Sequence, residues 1–257
     1  MCTPADNRII LGDDYRGFDV RQFCLPPRYA NYVESVLIPN GMLKDRIEKL
    51  ALDIVTSFEN DNARSLTLLC VLKGGFKFLA DLVDGLELTI RARETSITMS
   101  MDFVRIKSYV NDKSHHEPIL TGLDDPKTLK GKVFYLILYI YFVQDILVVE
   151  DIIDTGNTMK VLLSYLETLS PRSVRVASLL VKRTPLSSGY TPDFAGFEIP
   201  DRFVVGYAFD YNDHFRDMHI QNLDRDDSLA CDGFSASLLS LSLVFNFSSV
   251  HIAQCSF

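Results

Sequence analysis

The residues that could do chemistry are concentrated in one stretch, Leu147 to Thr158. Glu150 and Asp151 place two carboxylates where a short apolar run, typical of a buried parallel strand, is expected to stop. Asp154-Thr155-Gly156-Asn157-Thr158 then makes a small polar turn, and the apolar spacing after it predicts a helix. Such a turn offers backbone N–H groups to a phosphate, while the carboxylates suit ribose hydroxyls and Mg²⁺. The stretch therefore predicts a site for a ribose 5-phosphate.

Two other interpretations of this stretch remain open. Asp154-Thr155-Gly156 is also the signature of an aspartic protease, although that aspartate lies in a loop of an all-β fold, and here an amphipathic helix follows. The other is a solvated strand-to-helix loop with acidic residues near a helix N-terminus. A Walker-type loop is excluded because the chain has no Gly-Lys-Ser/Thr sequence.

Strand and helix patterns alternate along the chain around this stretch. Helices are predicted from about residue 42 to 58 and from Phe76 to Leu86. Strands are predicted at Leu66–Leu72, Ile97–Phe103, Val174–Val181 and Phe203–Ala208, after an irregular arm of about 40 residues with one short strand near Val36–Ile38. The order predicts an α/β fold with a mainly parallel sheet flanked by helices, whose ligands bind beyond the carboxyl ends of the strands.

Composition restricts the class of protein. The 257 residues are enough for one substantial domain, and 47% apolar with 23% charged residues is an ordinary globular balance. A net charge of −8 argues against nucleic acid or an anionic membrane as a partner. The five cysteines are scattered and odd in number, so a reducing cytosol is expected, with Cys70 as a small buried hydrophobic residue. No signal-peptide core is visible, and the expected location is cytoplasmic.

Further motifs in the same order resemble the hypoxanthine-guanine phosphoribosyltransferase family, which is of the type I phosphoribosyltransferases. Besides the stretch above, they are Leu72-Lys73-Gly74-Gly75, Asp102 to Tyr109, Val176 to Pro185, and Gly196 to Asp217. The resemblance covers roughly residues 8 to 218. It implies the type I fold with a small irregular hood built from the two ends of the chain. It also implies purine salvage by transfer of the 5-phosphoribosyl group from phosphoribosyl pyrophosphate to hypoxanthine or guanine, with Mg²⁺, in a homodimer or homotetramer.

The resemblance also implies a role for each matching residue. Asp154 would be the acid/base group at the purine, and Glu150 and Asp151 would hold the ribose hydroxyls directly or through Mg²⁺. The phosphate would lie against Asp154 to Thr158, with Asn157 where close relatives often have Lys. The pyrophosphate would be held by Lys73, Gly74 and Arg216, and the peptide bond matching Lys73-Gly74 can be cis. The purine would be contacted by Lys182 at its 6-oxo group, Phe203 by stacking, the Val204 backbone, and Asp210, which is also a Mg²⁺ ligand.

Three segments need separate treatment. Ser108 and Tyr109 begin a polar stretch that resembles the family's mobile lid, in which the His115-His116 pair is expected to be solvated rather than to bind metal. Residues 1–218 are expected to form the domain, interrupted by an apolar insertion, Val133 to Gln144, that should loop outward while Asp145 to Val149 remain the strand. Residues 219–257 form an atypical tail. The competing interpretation of the chain is a catalytically weak or silent relative, a splice or gene-model variant that binds nucleotide or assembles with active subunits.

Overall fold

The structure is a computed structural model, and it describes residues 7–107, 119–121, 144–210, 214–218 and 221–224. Within these ranges lie three α-helices, α1 (Asn40–Asn60), α2 (Gly75–Ala92) and α3 (Asn157–Thr168). The same ranges contain ten strands, β1 (Ile9–Ile10), β2 (Val33–Ile38), β3 (Ser65–Leu72), β4 (Thr98–Lys107), β5 (Ile119–Thr121), β6 (Asp145–Ile153), β7 (Ser173–Arg183), β8 (Phe194–Pro200), β9 (Val204–Val205) and β10 (Gln221–Asp224).

Seven strands form one sheet in the order β1-β8-β7-β6-β3-β4-β5. Every neighbouring pair is parallel except β4 and β5, which are antiparallel. The central strand β6 pairs with β3 on one side and β7 on the other, so that Val149 lies opposite Cys70 and Ala177. The predicted α/β fold with a mainly parallel sheet is confirmed.

The two faces of the sheet pack against different helices, because side chains alternate along each strand. Leu147 and Val149 of β6 belong to the core that contains α1 and α2, whereas Ile146 and Val148 pack with α3. Both faces of β6 are therefore buried, as is usual for a central parallel strand. Cys70 is fully buried in the first of these cores, as predicted.

A second, three-stranded sheet in the order β2-β10-β9 corresponds to the hood. Both of its pairs are antiparallel, and a small apolar cluster that includes Tyr29, Val33 and Phe215 packs beside it. The hood is more regular than predicted, since backbone pairing joins β2 near the N-terminus to β10. Gln221–Asp224, which the sequence assigned to the tail, form that strand β10.

Some strand boundaries differ from the predictions. Strand β6 continues to Ile153, so Glu150 and Asp151 lie inside the strand instead of after its end. The predicted strand Phe203–Ala208 is only Val204–Val205, because Tyr207 and Ala208 take positive φ angles of 55° and 73° and turn the chain. Strand β8 was not predicted, because its sequence is apolar at nearly every position and has no alternation.

The start of β6 agrees with the prediction, since the strand begins at Asp145 directly after the apolar insertion. Gln144, the last residue of that insertion, accepts a hydrogen bond from the Thr67 hydroxyl at its side-chain oxygen. Its carbonyl accepts another from the Arg172 amide, at 3.1 Å. The rest of the insertion and the tail beyond Asp224 lie outside the described residues. No helix in the described ranges is long and apolar enough to span a membrane.

Candidate active site

The carboxyl ends of β3, β6 and β7 lie side by side in the sheet. Lys73 and Gly74 follow β3, Asp154 follows β6, and Lys182 is the penultimate residue of β7. The predicted location of the site, beyond the carboxyl ends of parallel strands, therefore brings together motifs that are far apart in the sequence.

The turn between β6 and α3 has the geometry of a phosphate-binding turn. Gly156 is the N-cap residue of α3 with φ of 81°, and no side chain caps the helix. Asp154 is therefore not the helix cap, and its carboxylate lies instead near the Lys182 ammonium group. The first amides of α3 and the positive end of its dipole face out of the turn, the arrangement that binds phosphate groups in many proteins. Asn157 and Thr158 are exposed in this first turn.

A neighbouring loop supports the turn from behind. The Ser188 amide donates to the Thr155 carbonyl at 2.7 Å, and Lys160 of α3 donates from Nζ to the Ser188 carbonyl, also at 2.7 Å. A Cβ atom on Gly156 would lie 2.9 Å from both Ser188 Oγ and Tyr190 Cβ. Two features therefore favour glycine at position 156, namely its positive φ angle and the short distance to the loop of Ser188 and Tyr190.

Asp154 and Lys182 meet at the adjacent ends of their strands. Lys182 Nζ lies 3.4 Å from Asp154 Oδ2, with 12% and 34% of the two side chains exposed. The lysine ammonium also lies 4.0 Å from Asp201 Oδ1, on the segment after β8. A ligand that approaches this edge therefore meets a carboxylate and an ammonium group side by side. The carboxylate could act as a base and the ammonium group as a hydrogen-bond donor.

Glu150, which is buried, and Asp151, which is half-buried, form an acidic pair inside β6. Glu150 Oε1 accepts a weak hydrogen bond from the Asp151 amide at 3.3 Å, and Asp151 Oδ1 accepts one from the Ile152 amide at 2.8 Å. Burial raises the pKa of Glu150 well above its ordinary value, and the charge of Asp151 adds to the rise. Burial also raises the pKa of Asp151. A divalent cation or hydrogen bonds from sugar hydroxyls would stabilise the two neighbouring carboxylates of Glu150 and Asp151.

The acidic pair fits a hard cation in its ligand type, since both side chains offer carboxylate oxygens. Among the described residues, no group of three or more His, Cys, Asp or Glu side chains could hold a metal ion by itself. A cation at Glu150 and Asp151 would thus take its remaining ligands from substrate oxygens and water.

Gly74 lies directly against the acidic pair. A Cβ atom at this position would lie 1.6 Å from Asp151 Oδ2 and 2.6 Å from its Cγ. Gly74 is also the N-cap of α2, with helical φ and ψ angles of −62° and −42°. The cis peptide bond of this turn joins Leu72 to Lys73, one bond before the predicted position. The turn expected to bind pyrophosphate thus contacts the acidic edge.

Arg216 lies near the same edge. Its Nη2 atom is 2.6 Å from Asp210 Oδ1, and its Nη1 atom donates to the Ala208 carbonyl at 2.6 Å. Its positive charge acts on Asp151 as well, since it opposes the rise in the pKa of that carboxyl that burial causes. The predicted metal ligand Asp210 is therefore held by the predicted pyrophosphate-binding arginine.

The two predicted purine contacts on the hood side differ in burial. Val204 is buried in β9, and Phe203, just before it, is partly exposed and packs against the cluster of Tyr29, Val33 and Phe215. Phe203 thus belongs to the edge of the hood and is only partly buried there. Ser108 and Tyr109, the predicted lid, and the His115-His116 pair lie outside the described residues.

Sequence reasoning missed the residues that support the site from behind. Ser188 and Lys160 hold the phosphate turn, and Asp201 lies beside Lys182. The Ser187-Ser188-Gly189 loop has the composition of an ordinary turn, so nothing in its sequence indicates its contact with Thr155. Asp201 carries a weak signal, since it is an acidic residue two positions before Phe203.

Comparison with known proteins agrees with this geometry. The model of the phosphoribosyl transferase domain family matches residues 39–212. Hypoxanthine-guanine phosphoribosyltransferase of Schistosoma mansoni is 59% identical over 211 residues, which cover 82% of this chain and 70% of that protein. The Homo sapiens protein of the same name is 49% identical over 211 residues, 82% of this chain and 90% of its own.

Among solved structures, the Schistosoma mansoni hypoxanthine-guanine phosphoribosyltransferase in complex with IMP superposes with a TM-score of 0.68 at 47% identity. The match covers 85% of this chain and 95% of that one. Fold, site and relatives agree, and the chain belongs to the hypoxanthine-guanine phosphoribosyltransferase family.

Proposed function

We propose that this chain transfers the 5-phosphoribosyl group of phosphoribosyl pyrophosphate to hypoxanthine or guanine, giving IMP or GMP and pyrophosphate. The observation that carries the proposal is the 3.4 Å approach of Asp154 and Lys182 beside the phosphate turn. A 6-oxopurine presents a ring N–H close to its carbonyl oxygen, and a carboxylate with an adjacent ammonium group is complementary to that pair.

In this proposal Asp154 exchanges the purine proton and Lys182 donates to the 6-oxo group. A 6-amino group would leave the lysine donor without an acceptor, in a position where only 12% of its side chain is exposed. An unpaired buried donor costs about 1–3 kcal/mol, so adenine should be rejected by about 5- to 150-fold or more. Phe203 would stack on the purine, and the Val204 backbone and Asp210 would contact its edge.

The other half of the site would hold the phosphoribosyl pyrophosphate. The turn Asp154 to Thr158 would bind the 5-phosphate, Glu150 and Asp151 the ribose hydroxyls, and Lys73, Gly74 and Arg216 the pyrophosphate. Mg²⁺, held by Glu150, Asp151 and Asp210, would neutralise charge on the leaving group. The transition state would resemble an oxocarbenium ion, and its formation requires that pyrophosphate be stabilised as it departs.

The setting of this activity is proposed from the same family membership. The predicted domain of residues 1–218, together with strand β10 that pairs with β2 and β9, would make up the catalytic domain. The enzyme would be cytoplasmic, and it would assemble as a homodimer or homotetramer. Its partners would be small molecules, with neither nucleic acid nor membrane, which agrees with the net charge of −8.

One experiment tests the function. Purified protein is incubated with Mg-phosphoribosyl pyrophosphate and hypoxanthine, guanine or adenine in turn, and nucleotide formation is measured by chromatography. Hypoxanthine and guanine should be converted and adenine should not. Binding of IMP without any turnover would refute the proposal in favour of a silent relative, and equal use of adenine would show that Lys182 does not face position 6.

A further inference from the structure

Tyr207 is a buried tyrosine that lies after the proposed purine-contacting residues Phe203 and Val204 and whose hydroxyl contacts helix α2. Only 1% of the residue is exposed, and its hydroxyl donates to Asp81 Oδ2. The other carboxylate oxygen, Asp81 Oδ1, accepts from Lys44 of α1 at 2.5 Å. Each oxygen of Asp81 thus has its own donor, and 10% of the Asp81 side chain is exposed.

The backbone at Tyr207 belongs to the segment that carries the proposed purine contacts. The Tyr207 amide donates to the Met218 carbonyl at 2.7 Å, and the Ala208 amide donates to the Arg216 carbonyl at 3.2 Å. Tyr207 also takes φ of 55°, which is uncommon for a bulky residue and is kept only where the surroundings fix it. The hydroxyl bond to Asp81 and the backbone bond to Met218 both hold Tyr207 in place.

The other end of the contact lies on the pyrophosphate side. Asp81 is in α2, whose N-terminus directly follows Lys73 and Gly74. A helix is a rigid element, so a fixed point on α2 also fixes the position of its first turn. The hydrogen bond from Tyr207 to Asp81 therefore connects the purine-contacting segment, through helix α2, to the turn at Lys73 and Gly74.

We propose that Tyr207 and Asp81 are positioning residues that set the separation between the purine-binding segment, residues 203–210, and the pyrophosphate-binding turn at Lys73-Gly74. The proposal rests on the function proposed above. The reaction needs the purine nitrogen and the ribose C1 in a near-attack geometry, and a misplacement of about 1 Å can cost about 10²-fold in rate. A hydrogen bond that holds two rigid elements together, between buried partners, controls that separation.

The surroundings of the Tyr207–Asp81 hydrogen bond favour an ionised Asp81 and a protonated Tyr207. Burial alone would raise the pKa of Asp81, but the hydrogen bonds from Lys44 and Tyr207 outweigh burial and leave that pKa below its ordinary value. Burial also raises the pKa of the Tyr207 hydroxyl, and Asp81 raises it further. Lys77 Nζ lies 5.3 Å from the centroid of the tyrosine ring, close enough for a cation–π contact.

The test compares Tyr207→Phe with the wild type and with Tyr15→Phe. Tyr207→Phe keeps the ring and removes only the hydroxyl. Tyr15→Phe removes a hydroxyl that donates to the Leu37 carbonyl at 3.2 Å in the N-terminal arm, and so controls for the loss of one hydrogen bond. We expect Tyr207→Phe to lower kcat/KM for hypoxanthine by about 10- to 100-fold and to leave the Kd of phosphoribosyl pyrophosphate within about twofold. Tyr15→Phe should change neither.

A double-mutant cycle separates positioning from simple packing. Asp81→Asn retains an oxygen that can accept from Tyr207 and should keep more activity than Asp81→Leu. If the pair acts as a unit, Tyr207→Phe combined with Asp81→Leu should be no slower than Asp81→Leu alone, whereas independent contributions would multiply. Multiplied losses, or an unchanged kcat/KM in folded Tyr207→Phe, would overturn the proposal.

A measurement without substrate keeps this result distinct from the proposed function. Amide hydrogen exchange in residues 204–209 should be faster in Tyr207→Phe than in the wild type, and Tyr15→Phe should leave it unchanged. A wild type that converts no purine would refute the proposed function. The exchange rates would still test whether the Tyr207–Asp81 contact holds residues 204–209 in place. Equal exchange in Tyr207→Phe and the wild type would show that the contact does not position the segment.

Discussion

Gly74→Ala tests whether the acidic pair and the pyrophosphate turn must be in contact. The new Cβ would lie 1.6 Å from Asp151 Oδ2, whereas carbon and oxygen atoms approach no closer than about 3.3 Å. The carboxylate, or the turn, must therefore move by about 1.7 Å. The helical φ of −62° at Gly74 accepts alanine, so this displacement is the main consequence of the substitution.

The magnitude follows from that displacement. A misplacement of about 1 Å at a reacting centre costs about 10²-fold in rate, which corresponds to about 2.7 kcal/mol. We expect kcat/KM for phosphoribosyl pyrophosphate to fall by about 10²-fold. Overpacking of the buried edge should also lower the free energy of unfolding by about 1–3 kcal/mol.

The assay is steady-state nucleotide formation at varied phosphoribosyl pyrophosphate, together with thermal unfolding of each variant. Gly41→Ala is the matched control, because Gly41 lies in the first turn of α1 and a Cβ there would meet nothing within 4 Å. Alanine is favoured over glycine in helices by up to about 1 kcal/mol, so this variant should be slightly more stable and fully active. A Gly74→Ala enzyme with wild-type kinetic constants would refute the reasoning about the acidic edge.

Four further changes have defined outcomes. Asp154→Asn should lower turnover by about 10²–10⁴-fold with binding of phosphoribosyl pyrophosphate kept; unchanged turnover would remove Asp154 from the acid/base role. Lys182→Met should narrow the preference for hypoxanthine over adenine in competition assays, and an unaltered preference would place the 6-oxo group elsewhere. Glu150→Gln should lower activity yet raise the Tm of the ligand-free protein by about 2–4 °C, the shift that about 1 kcal/mol gives in a domain of this size. Because the folded-state pKa of Glu150 is raised, its ionisation costs stability above the unfolded-state value of about 4.3; the Tm gain should be largest at neutral pH and vanish near pH 4, and a gain that persisted there would contradict this account. Deleting residues 133–143, with Gln144 kept for its contacts to Thr67 and Arg172, should raise soluble yield without loss of specific activity; a less soluble or less active variant would mean that the segment is part of the fold.

The sequence predicted the elements whose local pattern matches their final environment. Helix α1 and strand β3 have clear periodicity, and β6 begins at Asp145 as expected despite the apolar insertion before it. Strand β8 has no polar–apolar alternation, because almost every residue in it is buried. A strand of this kind is recognisable only through its neighbours in the sheet.

The site was predictable as a set of residues but not as a set of contacts. Asp154 and Lys182 could each be assigned to a strand end, yet their 3.4 Å approach depends on β6 and β7 being neighbours. Gly74 could be recognised as a turn residue, whereas its actual constraint is the Asp151 side chain above it. Tyr207, in an apolar run that suggested a strand, takes a left-handed conformation that only its tertiary contacts explain.

The order of strands in the sheet has a consequence for how the protein is made. The site needs β3, β6 and β7 together, and these strands come from the first third to the last third of the chain. A nascent chain cannot bind its substrates until β7 and the segment after it, up to Arg216, have left the ribosome. The Lys182 contact, the Ser188 support of the phosphate turn and the Arg216–Asp210 pair all come from these late residues. Substrate therefore cannot guide early folding, which must succeed on the apolar core alone. It binds only the finished sheet and stabilises that state by mass action, so in a cell rich in phosphoribosyl pyrophosphate the completed enzyme is protected from unfolding while the incomplete chain is not.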